Sequence, residues 1–304
     1  MRITNRMLAQ NVINNINRNL ENMSRTQEQM SSGKLVNRPS DAPIVVARVL
    51  AFESTIAAND RYRKNMEDAR GWIDASDSAL AMASETMQRA RDLAVAGANS
   101  TLPETSKQAL AKEVDQLIDE LVQTANASYG GRFLFGGSKT ATEPFSRTAG
   151  GVVYNGNSDA LNWEVAPGVT MKVNTDGNEA FMYAVDSDGD GMADQSLFGL
   201  LEDLHDALAG GDYDAVGDTL DRFEAALDHL LSARAVMGAK SNRLEMAISR
   251  LDTTQISLTK SLSLLEDIDL AETVMNYKNQ ENVYHASLAT GAMVLQPSLI
   301  DYLR

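Results

Sequence analysis

Residues 223–265 read FEAALDHLLSARAVMGAKSNRLEMAISRLDTTQISLTKSLSLL and carry an apolar residue at every seventh position. Residues seven apart lie on one face of an α-helix, so the repeat predicts a long helix with a continuous apolar stripe. The stripe needs a partner, because ordering about forty residues costs more free energy than burying the stripe alone returns. The stripe consists of Phe223, Leu230, Met237, Leu244, Leu251, Leu258 and Leu265.

Two earlier segments can cover this stripe. Residues 44–100 contain no proline and again repeat apolar residues in sevens, with Asn59 as the exception. Residues 104–125 follow a short turn, and Thr101 and Glu104 match a capping box with Pro103 in the first helical turn. Antiparallel packing of these segments against residues 223–265 predicts a long helical bundle or coiled coil.

The middle of the chain has a different composition. Residues 130–199 contain more than half of the glycines and several short runs typical of β-strands. The predicted fold class is therefore mainly α, with a long antiparallel helical bundle formed by the N- and C-terminal segments and a small inserted antiparallel β domain. The predicted segments are an N-terminal helix and loop (1–42), two helical halves (43–130 and 199–269), a β insert with an acidic loop (131–198) and a C-terminal helix (270–304).

Composition excludes several classes of protein. The chain has no cysteine, which removes disulfide frameworks and thiol nucleophiles. Its net charge is −15, and Arg222 is the one basic residue in the acidic stretch 174–229, which disfavours nucleic-acid binding. Residues 1–15 lack the apolar core of a signal peptide, so we expect export, if it occurs, to need no cleaved leader.

One acidic loop resembles a calcium-binding loop. Its carboxylates occupy positions 1, 3, 5 and 9, and a main-chain carbonyl is available at position 7. Position 12, which should supply a bidentate carboxylate, is Leu197. The alternative is an acidic turn held by Asx-type hydrogen bonds. The candidate ligands are Asp186, Asp188, Asp190, Met192 (through its carbonyl) and Asp194.

The sequence offers no recognisable enzyme motif. The three histidines, His205, His229 and His285, lie far apart and form no HExxH pair. Residues 131–138 have the outline of a phosphate-binding loop, but Gly137 stands where that motif requires lysine. We therefore expect a protein that is not an enzyme and that has no cofactor other than, at most, calcium.

Four segments of the sequence resemble the bacterial flagellin family. They are SSGKLVNRPSDAP at 31–43, ARAVMGAKSNRLE at 233–245, LEDIDLAE at 265–272 and LATGAMVLQPSLIDYL at 288–303. The last of them is similar to the branch of the family that forms the hook-filament junction more than to flagellin itself. The resemblance covers both ends of the chain and leaves the β insert unmatched.

The resemblance implies a structural and extracellular role in bacterial motility. The terminal helices would pack between subunits, and the insert would face outward. The implied partners are other copies of the chain, the preceding hook-associated protein, flagellin and an export chaperone. The implied route is type III export into the flagellum without a cleaved signal peptide. Residues expected at the assembly interface are Ile13, Ile16, Leu20, Met23, Met30, Val283, Leu288, Val294, Leu295, Leu299 and Leu303.

Two other functions compete with a junction adaptor. A flagellin filament subunit would polymerise without limit, and the QPSL ending at 296–299 argues against it. A calcium-responsive coiled-coil module would use the acidic loop as its sensor and the apolar stripe as its binding surface. The matches at both termini favour the adaptor.

Overall fold

The computed structural model describes residues 5–148, 150–182 and 196–295. These residues form seven α-helices and six short strands, which confirms the predicted mainly α fold with a β insert. The helices are α1 (Asn5–Ser32), α2 (Pro43–Gly97), α3 (Glu104–Ala125), α4 (Gly177–Phe181), α5 (Leu197–Gly210), α6 (Tyr213–Glu266) and α7 (Leu270–Leu295). The strands are β1 (Ser128–Tyr129), β2 (Arg132–Phe133), β3 (Phe145–Thr148), β4 (Gly151–Tyr154), β5 (Asn162–Ala166) and β6 (Val169–Lys172).

The chain divides into two compact units. The first consists of Met1–Ala58 with Thr253–Arg304, and the second of Asn59–Asp252. Within the described ranges, no helix combines the length and the hydropathy needed to cross a membrane.

The first four residues of the α6 stripe lie in the core of the second unit, whereas its last three, Leu251, Leu258 and Leu265, are half-buried. Phe223, Leu230, Met237 and Leu244 are all buried there, in one cluster with apolar residues of α2, α3 and α5. Polar contacts at the edges of the stripe show that α2 and α6 run antiparallel, because the residue numbers of the contacting positions decrease along α2 as they increase along α6. These contacts are Arg91 with Glu224 at 3.1 Å, Arg234 with Asp77 at 3.2 Å and Ser241 with Asp74 at 3.0 Å.

The predicted capping box before α3 is wrong. The helix begins at Glu104, and Pro103 itself occupies the N-cap position with an extended backbone and no side-chain cap. The Thr101 hydroxyl instead donates a 2.7 Å hydrogen bond to the side chain of Asn99. With Pro103 at the N-cap, the helix starts two residues beyond the position that the Thr101 box requires.

The β insert consists of three separate two-stranded antiparallel hairpins, β1–β2, β3–β4 and β5–β6. The β1–β2 turn uses Gly130 and Gly131, both with positive φ, which is the conformation that a two-residue hairpin turn requires. The insert is held to the helices by an aromatic cluster around Phe145. The side chain of Asn126 fixes the main chain there, because it accepts from the Phe145 N–H at 2.9 Å and donates to its carbonyl at 2.8 Å.

Candidate assembly surface

In the first unit, the N-terminal helix α1 pairs with the C-terminal helix α7. Asn19 Nδ2 donates to Ser287 Oγ at 2.9 Å, and Thr26 Oγ1 donates to Gln280 Oε1 at 2.9 Å. The residue numbers of the paired positions increase along α1 as they decrease along α7, so the two helices are antiparallel. The two side-chain pairs lie two turns apart and fit one alignment of the helices, which they therefore specify.

The same pair of helices approaches closely near the end of α7. A Cβ atom added to Gly291 would lie 2.9 Å from Val12 Cγ1 and 3.3 Å from Ile16 Cδ1. Glycine is thus used for close packing at this point, although glycine disfavours a helix interior. The contact extends the α1–α7 pairing to the region where the described part of the chain ends.

We expect Gly291→Leu to weaken this pairing. The added side chain must push Val12 and Ile16 away, and such overpacking costs about 1 to 3 kcal/mol. Hydrogen exchange should then speed up at residues 12–16. The matched control is Gly238→Leu, where nothing lies within 4 Å of an added Cβ, so that leucine should only favour the helix. Unchanged protection of residues 12–16 would contradict the assignment of Gly291.

A short loop ties the end of α1 to the junction between α6 and α7. Gly33 ends α1 in the left-handed region, at φ 73°. Beyond it, the Leu35 N–H donates to the Glu266 carbonyl at 2.6 Å and the Ile268 N–H donates to the Gly33 carbonyl at 3.1 Å. Lys34 forms an ion pair with the largely buried carboxylate of Glu266, and this hydrogen bond raises the pKa of Lys34. The family-like segments 31–43 and 265–272 are thus in direct contact.

Asp269 begins α7. Its Oδ1 atom accepts from the N–H groups of Ala271 at 2.9 Å and Glu272 at 3.1 Å. A side chain that accepts hydrogen bonds from the second and third helical N–H groups is an N-cap. The negative charge of Glu272 in the first turn also interacts favourably with the positive N-terminal end of the helix dipole. The segment 265–272 therefore carries the signal that starts the last helix.

Removing this cap should loosen the start of α7. We expect Asp269→Ala to cost about 0.5 to 2 kcal/mol, because two helix N–H groups lose their acceptor. Amide exchange of Ala271 and Glu272 should accelerate while the rest of the chain is unchanged. Asp252→Ala removes the same charge from an exposed position inside α6 and serves as the control. Equal effects of the two substitutions would mean that charge, rather than capping, matters.

Some of the predicted interface residues are partly covered in the structure, and others are exposed on the surface of α1 and α7. Ile16, Met23 and Met30 are half-buried, whereas Ile13 and Leu20 keep 43% and 44% of their surface exposed. On α7, Val283 and Leu288 are 52% and 40% exposed. Leu299 and Leu303 lie outside the described residues, as do the side chains of Val294 and Leu295.

The polar pairs between α1 and α7 were not predicted. An apolar stripe could be read from α1 alone, but Asn19 and Thr26 gain meaning only from Ser287 and Gln280, which lie more than 250 positions away. The one available signal was the unusual number of asparagines in α1, since asparagine is a poor helix former.

The predicted calcium ligands fall on residues that the structure does not describe. This holds for Asp186, Asp188, Asp190, Met192 and Asp194. Position 12 of the loop is described: Leu197 is the first residue of α5 and is only 2% exposed. Across the described ranges, no three acidic or histidine side chains are grouped closely enough to hold a metal ion.

Comparison with known proteins matches both ends of the chain to family models. Residues 3–140 match the bacterial flagellin N-terminal helical region, and residues 220–303 match the bacterial flagellin C-terminal helical region. The two matches together span most of the chain and include every residue of the described α1–α7 contact.

Individual relatives cover nearly the whole chain. Flagellar hook-associated protein 3 of Escherichia coli strain K12 is 28% identical over 302 residues, covering 94% of this chain and 95% of that protein. Flagellin of Bacillus subtilis strain 168 is 26% identical over 310 residues, covering 97% of each. The structure of the flagellar junction protein FlgL from Legionella pneumophila superposes with a TM-score of 0.60 at 18% identity, covering 72% of this chain and 99% of that one. That last similarity concerns the fold.

Proposed function

Because the chain belongs to the bacterial flagellin family, we propose that it is a structural adaptor of the flagellum that joins the hook, through the preceding hook-associated protein, to the flagellin filament. Membership makes it a flagellar component that associates with other flagellar proteins. The proposed role is packing between subunits and involves no catalysis.

The observation that carries the proposal is the apolar surface left open on the α1–α7 pair. Ile13 and Leu20 lie seven residues apart on one face of α1. Leu270, Val274 and Leu288 share a face of α7 and are 60%, 39% and 40% exposed. Burying such side chains against neighbouring subunits would return about 1.5 to 3 kcal/mol for each one that becomes fully buried. The polar side-chain pairs between α1 and α7 set the alignment of the two helices, and the exposed apolar residues supply the energy of binding to neighbouring subunits.

The proposed partners are other copies of this chain, the preceding hook-associated protein, flagellin and an export chaperone that holds the C-terminal helix. We further propose export through the flagellar type III channel without cleavage of a leader. Two features support this route: the chain contains no cysteine, and the described polar side-chain contacts between α1 and α7 are few. Little would have to be undone before the chain is threaded.

Seeded assembly followed by electron microscopy tests the adaptor role. Purified protein is added to hooks that already carry the preceding junction protein, and separately to filament fragments. An adaptor should add a short zone to the hooks and stop until flagellin is supplied. Growth of long filaments would instead identify a flagellin filament subunit, and binding to neither would refute both.

A matched pair of variants tests the surface itself. Leu20→Ser removes an exposed apolar residue of α1, and we expect it to weaken addition to hooks by about tenfold or more, because one buried leucine is worth a few kcal/mol. Leu231→Ser removes a similarly exposed leucine from α6 in the second unit and should add normally. Equal loss in both variants would argue against α1 as the contact surface.

We also propose that the protein needs no cofactor, calcium included. Leu197 cannot supply the carboxylate of position 12, since its side chain is apolar and buried. Isothermal titration with calcium should therefore show no saturable heat up to about 1 mM, the weak end of known calcium loops. A saturable heat that Asp190→Asn abolishes would revive the calcium-responsive module.

A further inference from the structure

A cavity of about 180 Å³ opens in the second unit between β6, α4 and α6. It lies in the part of the chain that the flagellin models leave partly unmatched, and the assembly role does not use it. Two lysines line it, Lys172 from β6 and Lys240 from α6, together with Glu179, His229 and Ser232.

Neither ammonium group forms an ion pair within the described ranges, although the Glu179 carboxylate also lines the cavity. Lys240 is half-buried, and its pKa is lowered chiefly by burial and then by the positive charge of Lys172, while Glu179 opposes the shift. Like charges that lie close together are costly in a folded protein unless opposite charge offsets them, and Glu179 offsets one of the two here.

Several other polar groups around the cavity already have partners. The Thr175 hydroxyl donates to Met237 Sδ at 3.2 Å, and the Asn174 amide donates to the Asp159 carbonyl at 2.9 Å. His229 Nε2 lies 2.8 Å from the Glu179 carbonyl, which can only accept, so this nitrogen carries the hydrogen. The donors directed to a ligand would therefore be the ammonium groups of Lys172 and Lys240 and the Ser232 hydroxyl.

We propose that this cavity binds a small oxyanion, of the phosphate class, between Lys172 and Lys240. Glu179 offsets one of the two lysine charges, so one positive charge is left for an oxyanion. Hydrogen bonds that an ammonium group donates to an anion are roughly twice as strong as hydrogen bonds between neutral groups. The cavity volume equals that of about six water molecules, which accommodates such an ion with part of its hydration shell. The site is independent of assembly, so its test does not depend on the flagellar role.

Calorimetric titration of the full chain with inorganic phosphate, against chloride at equal ionic strength, tests the site. We expect saturable binding that weakens by about tenfold in Lys172→Gln and in Lys240→Gln, and disappears in the double variant. Lys112→Gln removes the same charge from an exposed position of α3 and should bind as the wild type does. No saturable binding by the wild type, or binding retained by the double variant, would overturn the proposal.

Thermal unfolding separates a binding defect from a folding defect. Without phosphate, Lys240→Gln should melt no lower than the wild type, because it removes the repulsion from Lys172. Phosphate should raise the melting temperature of the wild type and of Lys112→Gln, raise that of Lys240→Gln less, and leave that of the double variant unchanged. A third test uses the wild type with its lysines ¹³C-methylated and followed by NMR during a phosphate titration. Two lysine resonances should shift, with the same midpoint concentration as in calorimetry. A uniform shift of all lysine resonances would refute a specific site.

Discussion

A chain that lacks residues 294–304 is expected to remain soluble and helical but to lose assembly with hooks and filaments. The deletion removes Val294, Leu295, Leu299 and Leu303, and the loss of four large apolar side chains from an interface amounts to about 6 to 12 kcal/mol per subunit. The described polar contacts of α1 with α7 all lie before the cut, so the pairing within the monomer should survive.

Sedimentation and circular dichroism would establish that the shortened protein is monomeric and folded, and electron microscopy would score assembly on hooks. The full chain with serine at the same four apolar positions should reproduce the loss. Asp301→Asn alters a polar residue of the deleted segment and should assemble normally. Unimpaired assembly of the shortened chain would refute the terminal interface.

The second large effect is expected at Phe145, which anchors the β insert. Its side chain is 1% exposed, and its ring lies 5.1 Å from Tyr154, 5.4 Å from Phe198 and 5.5 Å from Phe181, measured between ring centroids. Phe145→Ala should lower the free energy of unfolding by about 3 to 5 kcal/mol, because it leaves a cavity among these rings. Urea unfolding followed by circular dichroism measures the change.

Phe145→Leu serves as its control. Leucine fills much of the space and should cost clearly less than alanine, although the ring contacts are lost. If leucine and alanine are equally damaging, ring geometry rather than volume determines the stability of the insert. If neither has an effect, the aromatic cluster does not anchor the insert.

Regular patterns made the helices predictable. The apolar residues at every seventh position from Phe223 to Leu244 predicted both the helix and its buried face, because residues seven apart lie on the same side of a helix. Strands were harder to predict. Short runs typical of β-strands were recognised within residues 130–199, but β1 has only two residues, and β3 contains the polar residues Ser146 and Arg147. Such short strands are specified by the hairpin partner and by contacts such as the Asn126 clamp, which a linear pattern does not contain.

The assembly surface was predictable only in part, for a related reason. Ile16 was expected at the assembly interface and does face α7 near Gly291. The expected interface included Ile13 and Leu20 but omitted Asn19 and Thr26, because a rule based on hydropathy skips polar residues that pair across an interface. Helix caps were also only partly predictable. Thr101 matched a capping pattern, but Pro103 occupies the N-cap position of α3, whereas Asp269 does cap α7.

The pairing of the first helix with the last also has a consequence for timing. Asn19 and Ser287 are separated by 268 positions, and a ribosome adds about 5 to 20 residues per second. Helix α1 therefore leaves the ribosome about 15 to 50 seconds before its partner has been made. Throughout that interval α1 cannot form the contacts with α7 that it makes in the folded chain.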